Sequence, residues 1–186
     1  MRRGLFAAGL AVAMGWGTLS AQKQYEGIPF PPYEFFEALL GNAEDGNFQA
    51  LAKSLDYLRP LFEAIRAGPG EDPEAAIRRA AQERSSAGAT RAVLRLIFLD
   101  MRMNLAAAES AADEAGRKTG VQMAYADYTF LSPVIYRKDK SLDAVLKKTF
   151  KALYRSTDRK LIAEKITSMV EQIDGIVKGP EEHAAH

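Results

Sequence analysis

Apolar residues recur along this chain at spacings of three and four, and nowhere do they alternate as a half-buried strand would. The pattern predicts a short helix over Tyr33–Leu40, with Phe36, Leu39 and Leu40 on one side and a break from Gly41 to Gly46. Asn47 is placed to cap a longer helix reaching Ile65, whose stripe is Phe48, Leu51, Leu55, Leu58, Phe62 and Ile65. Pro60 lies inside that stripe and is expected to kink the helix or divide it at Arg59. Ala67-Gly68-Pro69-Gly70 is a breaker. Asp72-Pro73-Glu74 then supplies a capping acid, a proline at the first helical position and an acid in the first turn. This signal predicts a helix over 73–84.

A weaker break over Ser85-Ser86-Ala87-Gly88 precedes the richest apolar run, Val93 to Leu105. Thr90 is its expected cap. This helix is expected to be central, to continue through alanines toward Glu114, and to end near Gly116 or Gly120. Val121 to Ile135 tends to helix but contains Ser132-Pro133. Ser141 is the expected cap of an amphipathic helix carrying Leu142, Val145, Leu146, Phe150, Leu153 and Tyr154. Asp158 is the expected cap of the last helix, whose stripe runs from Leu161 to Val177 until Gly179-Pro180. Residues 180–186 read as a flexible polar tail. The predicted fold class is all-α: a compact bundle of six or seven helices, some divided by proline.

Two stretches, 47–116 and 121–178, resemble each other in order. Tyr57-Leu58-Arg59-Pro60 in one parallels Phe130-Leu131-Ser132-Pro133 in the other, and a capped helix and a long apolar helix follow each. This reads either as two pseudo-symmetric three-helix units or as chance likeness among helices of a small alphabet.

The N-terminus changes the composition of the working molecule. Met1-Arg2-Arg3 precedes an apolar run from Leu5 to Trp16 and a small-residue exit through Gly17, Ser20 and Ala21. That is the pattern of a cleaved secretory signal peptide over residues 1–21. The run is too short to span a bilayer. Residues 22–32 follow as an extended lead-in of prolines and aromatics. The full chain carries 25 basic and 24 acidic residues and no cysteine. Loss of Arg2 and Arg3 would leave the mature chain slightly acidic, and loss of Trp16 would leave it without tryptophan. The expected location is the periplasm, or outside the cell.

Absence limits the chemistry further. Without cysteine there is no disulfide, thiol catalysis or thiolate-held cluster. The two histidines, His183 and His186, lie in the tail, where they offer at most a weak metal site. No cofactor is expected. Glu109 and Asp113 come without the Glu-x-x-His motif of a di-iron bundle.

Three groups of residues remain as candidates. Asp100 sits within the apolar run, where a carboxylate needs a partner; Asn104 shares its face, Arg95 and Met101 lie nearby, and its role is structural or that of a functional acid. Tyr125, Tyr128 and Tyr136, with Met123, belong to the core or line a ligand or partner contact. From Arg137 to Lys165 ten basic residues face four acids. Lys147, Lys148, Lys151, Arg155, Arg159 and Lys160 form its basic surface. That surface reads as a solvated face, a dock for an acidic partner or an anionic-membrane surface. No aromatics interleave with these lysines as a nucleic-acid platform would require.

The leading expectation is therefore a non-enzymatic accessory or interaction protein of the periplasm. Its partner would be another periplasmic or membrane-associated protein, with an acidic one among the options, and a homodimer is compatible. The alternatives are a carrier holding an apolar or amphipathic small molecule between the two halves, and a carboxylate enzyme using Asp100.

Overall fold

The computed structural model describes residues 32–178. The expected signal peptide over residues 1–21, the lead-in before Pro32 and the tail with His183 and His186 lie outside the described residues. The elements are α1 (Pro32–Glu44), α2 (Phe48–Leu55), a 3-10 turn (Asp56–Leu58), α3 (Arg59–Ala67), α4 (Pro73–Gln82), α5 (Ser86–Ser110), α6 (Glu114–Lys138), α7 (Lys140–Arg155) and α8 (Arg159–Val177). If α2, the turn and α3 are taken as one helix divided at its proline, the described residues form seven helices and no strand. The chain is an all-α bundle.

The polar residues between the helices explain most of the boundaries. Asn47 accepts from the Ala50 N–H at 3.4 Å, and Asp72 accepts from Ala75 at 3.1 Å with Pro73 at the first helical position. Asp158 accepts from Lys160 and Leu161 at the start of α8. Each such cap stabilises its helix by about 1 kcal/mol. Pro60 falls in the first turn of α3, where its missing N–H costs nothing, so the Phe48–Ile65 stripe is divided there.

Four boundaries differ from the sequence expectation. The first helix runs through Gly41 to Glu44 and stops at Gly46, whose φ of +69° reverses the chain. Ser85, not Thr90, caps α5: its Oγ accepts from the Gly88 N–H at 3.1 Å after Arg84 turns at a φ of 51°. The central helix stops at Ser110 rather than near Gly116 or Gly120, because Asp113 caps a new helix by accepting from the Gly116 N–H at 2.7 Å. Asp139, not Ser141, caps α7, and its Oδ1 accepts from both Ser141 N and Leu142 N at 2.9 Å. A carboxylate one residue before the helix outcompetes a hydroxyl already inside it.

The helix α5 is central. Its side chains from Leu96 to Met101 are all buried, so it is enclosed on every side, and it packs on α1, α3, α4, α6 and α8. Its closest neighbour is α6. A Cβ on Gly120 would lie 2.8 Å from the Asn104 carbonyl and 2.9 Å from Ala108, so only glycine lets these helices approach so far. The helix α7 sits at the edge, packed mainly on α6 and α8.

Candidate functional site

Four elements of geometry place the candidates. The first is interior. Asp100 and Asn104 are fully buried on α5, and Asp127 of α6 is only 4% exposed. The Asn104 amide donates to Asp127 Oδ2 at 2.9 Å. Burial first, and then the charge of Asp100, push the Asp127 carboxyl well above the usual range, against the hydrogen bond from Asn104. Met101 is buried in the same core. None of Asp100, Asn104, Asp127 and Met101 lines the α6–α7 cleft or the groove between α1, α5, α6 and α8 described below.

Arg95 points elsewhere. Its guanidinium pairs with Glu71 from the loop before α4 and with Asp174 of α8, and it lies over the Phe98 ring at 4.9 Å. It ties three parts of the chain together rather than facing Asp100.

The third element lies between α6 and α7. Tyr128 is buried and donates its hydroxyl to Asp143 Oδ1 at 2.6 Å. Ser132 donates to the same oxygen at 2.7 Å, and Lys147 reaches Oδ2 at 2.8 Å. Burial opposes the charge on Asp143, yet the hydrogen bonds from Lys147, Tyr128 and Ser132 outweigh it and hold the carboxyl below the usual range. Burial, and then the carboxylate, push the Tyr128 hydroxyl far up.

Above this network lies an open cleft of about 480 Å³ lined by Val121, Gln122, Tyr125, Lys147, Phe150, Lys151, Tyr154 and Arg155. Phe150 is its floor. Tyr125 meets Phe150 edge-on at 5.3 Å and remains 42% exposed; Tyr154 is 36% exposed. Lys147, Lys151 and Arg155 follow one another four residues apart along α7, about 6 Å of rise per step. No acid lines the cleft. Lys147 is offset by Asp143, whereas Lys151 and Arg155 form no ion pair among the described residues.

Tyr154 is held from below by Arg117. This arginine is only 7% exposed and donates to the carbonyls of Leu153 at 2.6 Å and Tyr154 at 3.4 Å. It thereby satisfies last-turn carbonyls of α7 with a cation, which the helix dipole favours. Lys118, one residue on, lies 5.4 Å from the Tyr154 ring and pairs with Glu114.

The remaining candidates do not converge here. Tyr136 is exposed with Lys140 over its ring at 5.5 Å, and Met123 is partly buried and lines no cleft described here. Lys148 and Lys160 are exposed away from the cleft, while Arg159 donates to the Ala111 and Ala112 carbonyls after α5. A second groove of about 510 Å³ runs between α1, α5, α6 and α8, with an apolar floor of Leu94, Leu131, Val134 and Ile176. Its charges are mixed: Glu44 faces Arg91, Arg137 and Lys138, and the last two donate to the carbonyls of Pro133 and Ile176.

Sequence reasoning singled out Tyr125, Lys147, Lys151 and Arg155 but not Asp127, Asp143 or Arg117. A signal existed for Arg117 and Asp127. Gly116, Gly120, Ala124 and Leu131 fall at helical spacing with them, and a charge on such a stripe is a charge facing inward. Among the described residues, no group of three or more His, Asp or Glu is arranged to hold a metal ion, and no helix is long and apolar enough to cross a membrane. Comparison with protein-family models, curated proteins and solved structures found no match.

Proposed function

We infer that this is an exported accessory protein that works by binding an acidic partner in the cleft between α6 and α7. One observation carries the reading: exposed Tyr125 and Tyr154 flank Phe150 beneath a row of three cations, with no acid in the lining. Tyrosines over an apolar floor give contact area at low conformational cost, and the unpaired Lys151 and Arg155 select and steer a negatively charged surface. The export part rests on the N-terminal residues 1–21 and the periplasm is the compartment proposed. Asp100 and Asp127, the carboxylates sealed between α5 and α6, do not line this cleft.

A site-specific photo-crosslinker tests this. Placed at Tyr125 or Tyr154 in cells of the source organism, it should yield one discrete adduct, lost in a Lys151→Glu, Arg155→Glu background. The same group at Tyr57, equally exposed but far from the cleft, should not. Equal adducts at Tyr57 would remove the reading.

The cleft volume supports a second reading. About 480 Å³ lies within the range of small-molecule sites, so an amphipathic anion could occupy it. Such a carrier would hold its cargo between α6 and α7 rather than between the two sequence halves. Native mass spectrometry of the protein from its own source separates the two: a carrier retains a small mass, an interaction protein a polypeptide.

A further inference from the structure

We propose that the segment recognised in the α6–α7 cleft is an acidic amphipathic helix of a partner protein. This inference rests on the acidic-partner reading above and adds the form of what binds. The first argument is backbone chemistry. Both walls are helices whose own N–H and C=O groups are already paired, and there is no strand edge among the described residues. The cleft offers an incoming chain only side-chain donors such as Gln122, Tyr125 and Tyr154. An extended peptide seated there finds no strand edge to pair its amides, whereas a helix satisfies them internally.

The second argument is spacing. Lys147, Lys151 and Arg155 repeat at about 6 Å, the rise between acids four residues apart on a helix. A partner helix lying along α7 can set one edge of acids against this row while its apolar edge enters the trough over Phe150. The third is shape. The aromatic groups are gathered in a trough over Phe150, with Tyr125 edge-on to its ring, and do not project from a convex face. A flat anionic bilayer would meet the cations without reaching Phe150, which is only 3% exposed.

The test uses the whole mature chain and fluorescein-labelled synthetic peptides of about five helical turns. One carries Glu at every fourth position beside an apolar edge of Leu and Phe. A second has the same composition with the acids moved to the opposite face. A third keeps the charge but is held extended by regularly placed prolines. Anisotropy is read at low and at raised salt, and vesicles of three parts phosphatidylcholine to one part phosphatidylglycerol are tested alongside.

The first peptide should bind about tenfold more tightly than the second, gain helical circular dichroism on binding, and weaken as salt rises. Lys151→Glu with Arg155→Glu should lower its affinity about tenfold or more, and Tyr125→Ala severalfold. All three side chains are exposed, so unchanged melting curves show that the variants remain folded. Tightest binding by the extended peptide, with the same sensitivity to these variants, would overturn the helix and keep the acidic partner. Binding indifferent to Lys151, Arg155 and Tyr125 would overturn both. Vesicle binding with that variant sensitivity, and no peptide binding, would overturn both in favour of a membrane.

Discussion

Asp127 and Asp143 are buried almost equally, at 4% and 3% exposure, and both sit against α6. Their carboxyls shift in opposite directions. Asp127 has an amide and another acid for company. Asp143 has a phenol, a hydroxyl and the ammonium of Lys147. Asp127 lies deep in the core and Asp143 beneath an open cleft, so depth and partners together decide the sign. The difference extends to their surroundings. The Asp127 cluster is sealed between α5 and α6, at a crossing close enough to require glycine. The Asp143 cluster lies under an open cleft and turns Lys147 and Tyr128 into its supports.

The sharpest way to break this contrast is Asp143→Ala. It would leave the buried Tyr128 hydroxyl without its carboxylate and free Ser132 and Lys147, at a cost of about 2–4 kcal/mol. Urea unfolding should show that loss, and the ring contacts of Tyr128 with Tyr125 and Phe150 should loosen in NMR spectra. On the other side, Gly120→Ala places a methyl 2.8 Å from the Asn104 carbonyl. The expected cost of separating α5 from α6 is about 1–3 kcal/mol, read in the same unfolding experiment.

Smaller, and more telling, is the pH dependence of the two amide variants. Asp143 has a lowered carboxyl, so its contribution is present above the usual carboxylate range and lost as pH falls through the lowered value. Asp143→Asn should therefore cost more near pH 7 than near pH 3. Asp127 has a raised carboxyl, so its contribution is present below the usual range and lost as pH rises through the raised value. Asp127→Asn should change little in acid, by less than about 1 kcal/mol, and gain on the wild type as pH rises. Parallel pH profiles for the two variants would dissolve the contrast. The smallest effect belongs to the cleft rim. Lys151→Glu with Arg155→Glu should leave stability within about 0.5 kcal/mol, since both side chains are exposed and unpaired. A larger loss in thermal denaturation would show that the rim supports the fold.

The helical pattern was legible because each stripe is a local property. Periodicity alone locates α2 with α3, α7 and α8, and the chemistry of Asp72-Pro73 and Asp158 locates two starts. The central place of the Val93–Leu105 run followed from its being the richest apolar run of the chain. Where boundaries were misplaced, neighbouring residues offered rival caps: Ser85 against Thr90, Asp139 against Ser141, and Asp113 within what read as a continuing alanine helix. The candidate site was legible as a set of residues but not as a place. Tyr125 and Lys151 belong to different helices, and their meeting in one cleft depends on how α6 and α7 cross. Asp143 was hidden for the same reason. It sits in the first turn of α7, where an acid is expected for the helix dipole alone, and only the arrival of Tyr128 and Ser132 from α6 gives it a second role.

One further consequence lies in the single residue that separates α6 from α7. Asp139 ends one helix and caps the next, so the two walls of the cleft form a hairpin of sequence neighbours. Its hydrogen bonds span 11 and 15 residues from Ser132 and Tyr128 to Asp143 and 36 from Arg117 to Leu153, whereas the ion pair of Arg95 with Asp174 spans 79. Short loops close at little entropic cost and local contacts form fast. Contacts this local are expected to form early in folding, ahead of the docking of α8 onto the centre. On the proposed reading, a folding chain would present the α6–α7 surface before α8 has docked.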